Sequence, residues 1–217
     1  MAQIPNYITV EGVIGVGKTS LSRMLAERFK AKLIQEEVEE NPFLSNFYSD
    51  RRAYAFQTQI FFLLSRYRQQ QNLFQQELFS QGIVSDYLFA KDKIFAYLNL
   101  DQNELSLYEH LLPLLERNIA QPDLVIYLQA EVDVLMRRIK QRGRPFEHGM
   151  QREYLAELSE AYNHFFFHYT ETPLLVVNVN DIDFVNSEED FDDLVEKICQ
   201  PHPGTRYYVP VGSKRKK

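Results

Sequence analysis

Gly12-Val13-Ile14-Gly15-Val16-Gly17-Lys18-Thr19 follows the spacing G-x-x-x-x-G-K-[ST] of a phosphate-binding loop. Upstream, Tyr7-Ile8-Thr9-Val10 is a short run rich in β-branched residues. Downstream, Leu21, Met24, Leu25, Arg28 and Phe29 recur with the period of an amphipathic helix. Strand, glycine loop and helix, in that order, are the context the motif requires. Glycines let backbone amides close around phosphate oxygens, and the helix N-terminus adds partial positive charge. The candidate donor contacts are therefore Gly12, Gly15, Val16 and Gly17, with Lys18, Thr19 and Ser20. Lys18 is expected to reach the outer phosphates and Thr19 to hold Mg²⁺. The motif implies binding of ATP or GTP.

The 217 residues suit one α/β domain with helical insertions, and an apolar content of 45% supports a core. A net charge of −6 argues against a general nucleic-acid binder. The single cysteine, Cys199, excludes an internal disulfide framework and reads as a partly buried helix residue. No stretch approaches the ~18 uninterrupted apolar residues of a membrane span. The first residues lack a basic region followed by a long apolar run, so no signal peptide is evident. A cytoplasmic protein with no membrane or nucleic-acid partner is the expectation.

Apolar β-rich runs occur at 7–10, 32–35, 83–85, 124–128 and 174–177, with helical patterns between them. This alternation predicts a three-layer α/β fold, a five-stranded parallel sheet with helices on both faces. A long helix is expected over 53–79, with Phe56, Ile60, Leu63, Leu64, Tyr67, Phe74 and Leu78 as its apolar stripe. Residues 142–151 are polar, carry Gly143, Pro145 and Gly149, and read as a mobile lid between two helices. Residues 1–200 then form the domain. Residues 201–217, ending Ser213-Lys214-Arg215-Lys216-Lys217, read as a flexible basic tail.

The second run ends in Gln35-Glu36-Glu37-Val38-Glu39-Glu40-Asn41-Pro42-Phe43. Carboxylates at the C-terminal end of a parallel strand face the crevice where ligands bind, and one of them can take a proton from a hydroxyl. For Glu37, Glu39 and Glu40 singly, an exposed acidic loop is the simpler reading. Asp86, at the end of the third run, is equally a Mg²⁺ ligand, directly or through water, and a helix cap. Gln59 and Arg66 lie seven residues apart and so share a helix face among aromatics. An amide and a guanidinium suit the edge of a heterocycle, although periodicity alone favours a surface seam. Arg137, Arg138, Arg142 and Arg144 cluster near a helix end, and beside a phosphate loop they read as a phosphoryl clamp. His164 and His168 lack the H-E-x-x-H pattern of a zinc site, and His110, His148 and His202 carry no signal.

Taken together, the chain resembles the deoxynucleoside kinase family, particularly its bacterial deoxyguanosine and deoxyadenosine kinases, from about Tyr7 to about Ile198. The resemblance rests on Glu11 through Thr19, Glu36 through Leu44, Phe47-Tyr48 and Gln59 through Arg66. It continues with Ser85-Asp86, Arg138 through Glu147, and Val179-Asn180-Asp181. It implies a P-loop kinase fold with an Arg-rich lid, ATP as phosphate donor, and a homodimer. It implies Glu36 as the base that activates the 5′-hydroxyl, and Tyr48 and Glu147 at the deoxyribose 3′-hydroxyl. Gln59, Arg66 and Asp92 would read the base. Arg138, Arg142 and Arg144 would surround the phosphates, and Asn180-Asp181 would lie beside the donor adenine.

One departure stands out. Much of the family has Asp-Arg or Glu-Arg at the end of the third strand, where this chain has Asp86-Tyr87. That arginine usually approaches the catalytic glutamate and the 5′-oxygen. Its task passes here to a lid arginine or to no residue. The Asp-Tyr form resembles the deoxyguanosine-kinase branch, which points to deoxyguanosine as substrate and deoxyadenosine next. The residues also leave open a nucleoside monophosphate kinase and a non-enzymatic nucleotide switch. The apolar helices at 56–79 and 105–115 are the expected dimer face.

Overall fold

The computed structural model describes residues 4–74, 82–117, 119–147, 149–200 and 202–210. At its centre is a six-stranded sheet with every described pairing parallel. Its strands are β1 (Tyr7–Gly12), β2 (Lys32–Ile34), β3 (Ile83–Ser85), β4 (Leu124–Gln129), β5 (Leu174–Asn178) and β6 (Thr205–Tyr208). They lie in the order β2-β3-β1-β4-β5-β6. All residues of β1 and nearly all of β4 and β5 are buried, because helices cover both faces of the sheet. Central position also sends the C-terminal ends of β1 and β3 into the crevice where the chain changes direction.

The helices are α1 (Lys18–Phe29), α2 (Leu44–Ser49), α3 (Arg51–Phe74), α4 (Asp92–Asn99), α5 (Gln102–Glu116), α6 (Val132–Arg142), α7 (Arg152–Phe167) and α8 (Glu188–Ile198). Register pairs Glu11 of β1 with Tyr127 of β4, and both side chains project toward α7. There Tyr127 stacks on Phe166 at 4.1 Å, and Tyr162 donates to Glu11 at 3.3 Å. On the other face Arg28 of α1 joins Asp192 of α8 at 2.8 Å. Among the described residues no helix is long and apolar enough to cross a membrane.

Two expectations need correction. The sheet has six strands, not five, and the added one comes from the segment expected to be a flexible tail. Thr205–Tyr208 pairs along β5, and the Tyr208 hydroxyl donates to Asp193 of α8. Pro201, Pro203 and Gly204 before it read as breakers, while its half-exposed edge pattern is too short to announce a strand. The remaining tail, 211–217, lies outside the described residues. The long helix begins at Arg51, with Asp50 accepting from the Ala53 amide at 3.2 Å. Its expected end at 79, the side chains of Phe74 and Leu78, and His148 also lie outside them.

Candidate active site

The loop between β1 and α1 is shaped by what surrounds it. Gly12 has φ 151°, and a Cβ there would stand 2.5 Å from the Leu128 carbonyl of β4. Gly15 has φ 85°, and a Cβ would meet Ile139 of α6 at 2.7 Å. Both approaches admit glycine alone. Lys18 folds back to donate to the Gly12 carbonyl at 2.6 Å. Burial lowers the Lys18 pKa, with Glu11 opposing. Thr19 donates to Asp86 at 2.7 Å, so the two candidate Mg²⁺ ligands stand side by side. The other Asp86 oxygen accepts from the Glu36 amide at 2.7 Å. Burial raises the Asp86 pKa, with the Thr19 and Glu36 hydrogen bonds opposing. A hydroxyl and a carboxylate so paired fit a hard cation that keeps waters and donor phosphates in its shell.

Beyond the loop lies a cavity of 280 Å³ whose wall includes Glu36, Tyr48, Gln59, Arg66, Lys91 and Glu147. Gln59 and Arg66 are 5% and 3% exposed, so periodicity misassigned them to a surface seam. They point inward because the buried stripe of α3 runs through Ala55, Gln59, Leu63, Arg66 and Gln70. The Arg66 guanidinium binds Glu36 at 3.1 Å and is ion-paired with Asp92. Burial works against the Arg66 charge, but Asp92 and then Glu36 overcome it and raise its pKa. Asp92 is fully buried behind this wall, where its carbonyl accepts from Gln59 at 2.8 Å. Its carboxylate meets the cavity through Arg66.

Glu36 is the most strongly held carboxylate of the cavity. Lys91 donates to its second oxygen at 2.7 Å. Burial alone would raise the Glu36 pKa, but Lys91 and then Arg66 hold it at about 2. Glu37, Glu39 and Glu40 are exposed, as the acidic-loop reading has them. Tyr48 stacks on Phe146 at 6.3 Å, and burial raises its pKa well above the ordinary phenol value.

A second groove, of 800 Å³, opens on the other side of the loop. It is lined by the glycine loop, Arg138, Arg142, Arg144 and the segment carrying Asn180 and Asp181. Arg138 belongs to the loop as much as to a lid. It donates to the Val16 carbonyl at 2.8 Å and the Val179 carbonyl at 3.1 Å. Arg142 lies at the end of α6, ion-paired with the buried Glu147, and Gly143 ends the helix at φ 66°. Arg144 reaches Glu39 at 3.7 Å. Gly15, Lys18, Thr19, Arg142 and Arg144 line both spaces, which therefore meet at the loop.

Sequence reasoning missed two members. Glu11 is wholly buried and accepts from the Gly12 and Leu88 amides, each at 2.8 Å. Its signal was a lone acid inside an apolar strand, which only a buried partner makes tolerable. Lys91 is 3% exposed and stands between Glu36 and Glu11, 3.9 Å from the latter. It opens the charged triplet Lys91-Asp92-Lys93 between two apolar runs, where a lysine reads as solvated, so nothing local sets it apart. Tyr87, at the position of the absent arginine, turns instead into an apolar cluster with Ile34 and Ile83. No lid arginine contacts Glu36 among the described hydrogen bonds and ion pairs.

The deoxynucleoside kinase family model matches residues 8–202. A deoxyguanosine kinase of Bacillus subtilis is 34% identical over 197 residues, covering 88% of this chain and 95% of that protein. A deoxyadenosine/deoxycytidine kinase of the same organism is 33% identical over 202 residues, covering 89% and 92%. Among solved structures, a deoxyadenosine kinase from M. mycoides with bound dATP superposes with a TM-score of 0.77. It shares 27% identity and covers 89% of this chain and 98% of that one. With its glycine loop, its two meeting cavities and this likeness along nearly its whole length, the chain belongs to the deoxynucleoside kinase family of ATP-dependent phosphotransferases.

Proposed function

We propose that the protein transfers the γ-phosphate of ATP to the 5′-hydroxyl of a purine deoxynucleoside in nucleotide salvage, deoxyguanosine first and deoxyadenosine next. The observation that carries this reading is the meeting of a phosphate groove and an enclosed cavity at Lys18, Thr19, Arg142 and Arg144, with an ionised Glu36 on the inner side. The purine preference is supported by relatives named deoxyguanosine and deoxyadenosine kinase. An amide and a guanidinium on one wall also suit the donors and acceptors of a purine edge.

In this reading the base lies against Gln59 and Arg66, with Asp92 fixing the orientation of both. Tyr48 and Glu147 hold the 3′-hydroxyl. The main-chain amides from Gly12 to Ser20 and the Lys18 ammonium cradle the donor phosphates, and Asn180 and Asp181 flank its adenine. Thr19 and Asp86 would hold Mg²⁺, which supplies charge neutralisation at the donor oxygens. As the new bond forms between the 5′-oxygen and the γ-phosphorus, the bond from that phosphorus to the bridging oxygen breaks and ADP departs. The hydroxyl proton passes to Glu36. A carboxylate held at about 2 is ionised throughout the neutral range but is a weak base, so the proton passes late, once bonding to phosphorus has made the 5′-oxygen acidic. Arg138, Arg142 and Arg144 oppose charge on the migrating group and, with the lid, exclude water.

The test is a radiolabel-transfer panel of four deoxynucleosides, their ribose counterparts and the monophosphates, with ATP or GTP as donor. The expected result is labelled deoxyguanosine monophosphate as the fastest product, with deoxyadenosine next. Transfer confined to monophosphates would reverse the reading.

A further inference from the structure

Resting on that phosphoryl-transfer reading, we propose that Lys91 is the fixed cation of the acceptor end of the site. It faces Glu36 and the 5′-oxygen in place of the arginine that this chain lacks after Asp86. The geometry supplies the argument. Lys91 is 3% exposed, yet it lines the nucleoside cavity and donates to Glu36 at 2.7 Å. A buried ammonium is costly unless paired, and a purely structural partner for Glu36 is already present in Arg66. Glu11, its other neighbour, is satisfied by the Gly12 and Leu88 amides. Tyr87 brings no charge to the cavity, because its ring packs on Ile34 and Ile83. The chain after β3 instead makes a one-turn 3₁₀ helix, Phe89–Lys91, whose last residue re-enters the site.

The position gives the ammonium a changing task. In the resting site it balances the Glu36 carboxylate. When Glu36 takes the 5′-hydroxyl proton, that carboxylate becomes neutral and the Lys91 ammonium loses its counter-charge. Its charge is then left facing the oxygens of the migrating phosphoryl group. The interaction thus strengthens between ground and transition states, which is the condition for acceleration. Lys91 is therefore expected to govern turnover more than nucleoside affinity.

The experiment compares Lys91→Met and Lys91→Arg with the unmodified protein, measuring kcat, nucleoside KM and thermal stability. Lys91→Met is expected to lower kcat about 10²-fold or more, the usual loss for a preorganised transition-state contact, with KM changed less than about threefold if ground-state binding is untouched. Lys91→Arg should recover at least about tenfold of the lost turnover, since a guanidinium restores the charge. Should Lys91→Met fail to fold, the Glu11→Gln/Lys91→Met pair restores the internal charge balance, and the same kinetics are read against Glu11→Gln alone. A kcat within about threefold of the matching control overturns the role of Lys91 while leaving the kinase reading intact. Absence of transfer to any deoxynucleoside by the unmodified protein overturns both.

Discussion

At Glu36 the balance of forces can be followed one group at a time. Burial pushes its carboxyl up, and Lys91 and Arg66 pull it down further, to about 2. If Glu36 is the proton acceptor, Glu36→Gln should lower turnover by about 10²–10⁴-fold, the usual worth of general-base catalysis. Nucleoside affinity, read by calorimetry, should hardly change. Near-normal turnover in that variant would remove Glu36 from the role. The same residue makes a stability prediction. Its folded-state pKa lies below the ordinary carboxylate value of about 4.3, so its ionisation stabilises the fold above that value. The contribution fades as pH falls toward about 2 and amounts to about 3 kcal/mol. Urea midpoints measured from pH 7 down to pH ~2.5 should therefore fall more steeply for the unmodified protein than for Glu36→Gln. Parallel curves would contradict the depressed pKa.

Among the elements, the glycine loop and α6 act as one unit. Gly15 packs against Ile139 and the Leu135 carbonyl, and Arg138 from the same helix clasps the Val16 carbonyl. Gly15→Ala must push loop and helix apart, because its Cβ would sit 2.7 Å from Ile139 in a backbone conformation of φ 85°. The loop amides then lose their shared focus. The donor Kd should rise more than about tenfold, equivalent to ~1.4 kcal/mol, while nucleoside binding, whose far wall on α3 is untouched, changes less. Titration calorimetry with each ligand alone distinguishes the two. Unchanged donor affinity would show that the loop does not depend on this close approach. Helix α3 teaches a related point. Its apolar spacing announced a helix, but its buried stripe holds Gln59, Arg66 and Gln70, while Leu64 is 42% exposed. A helix wall facing a polar cavity reverses the usual sorting of residues by burial.

Across the molecule, three of the exposed large apolar side chains share one face of α5, where Leu107, Leu111 and Leu114 are 51%, 37% and 62% exposed. An apolar helix face of this kind is what the expected homodimer would bury. Light scattering at micromolar concentration should give twice the chain mass of 25.7 kDa for the unmodified protein. The triple variant Leu107→Glu/Leu111→Glu/Leu114→Glu should give the single mass. A single mass for both would count against association through this helix.

Local order was legible because it depends on neighbours in the chain. The spacing of Gly12, Gly15, Gly17, Lys18 and Thr19 specifies a phosphate cradle, since glycine backbone freedom and one helix start create it within eight residues. Alternating strand and helix periods likewise announced a parallel sheet, and Glu36 and Asp86 stood out at the ends of its runs, whereas Tyr48 was marked by the family resemblance alone. Lys91, Glu11 and β6 did not stand out. A lysine between two buried carboxylates looks, in sequence, like any solvated lysine. What distinguishes it is Glu36 at 55 positions away and Glu11 at 80, distances along the chain that packing reduces to 2.7 and 3.9 Å. The same holds for the short edge strand, which exists because β5 offers it unpaired backbone groups and α8 a partner for Tyr208. Charge pairing and strand addition act through space, so they become visible once the chain has folded.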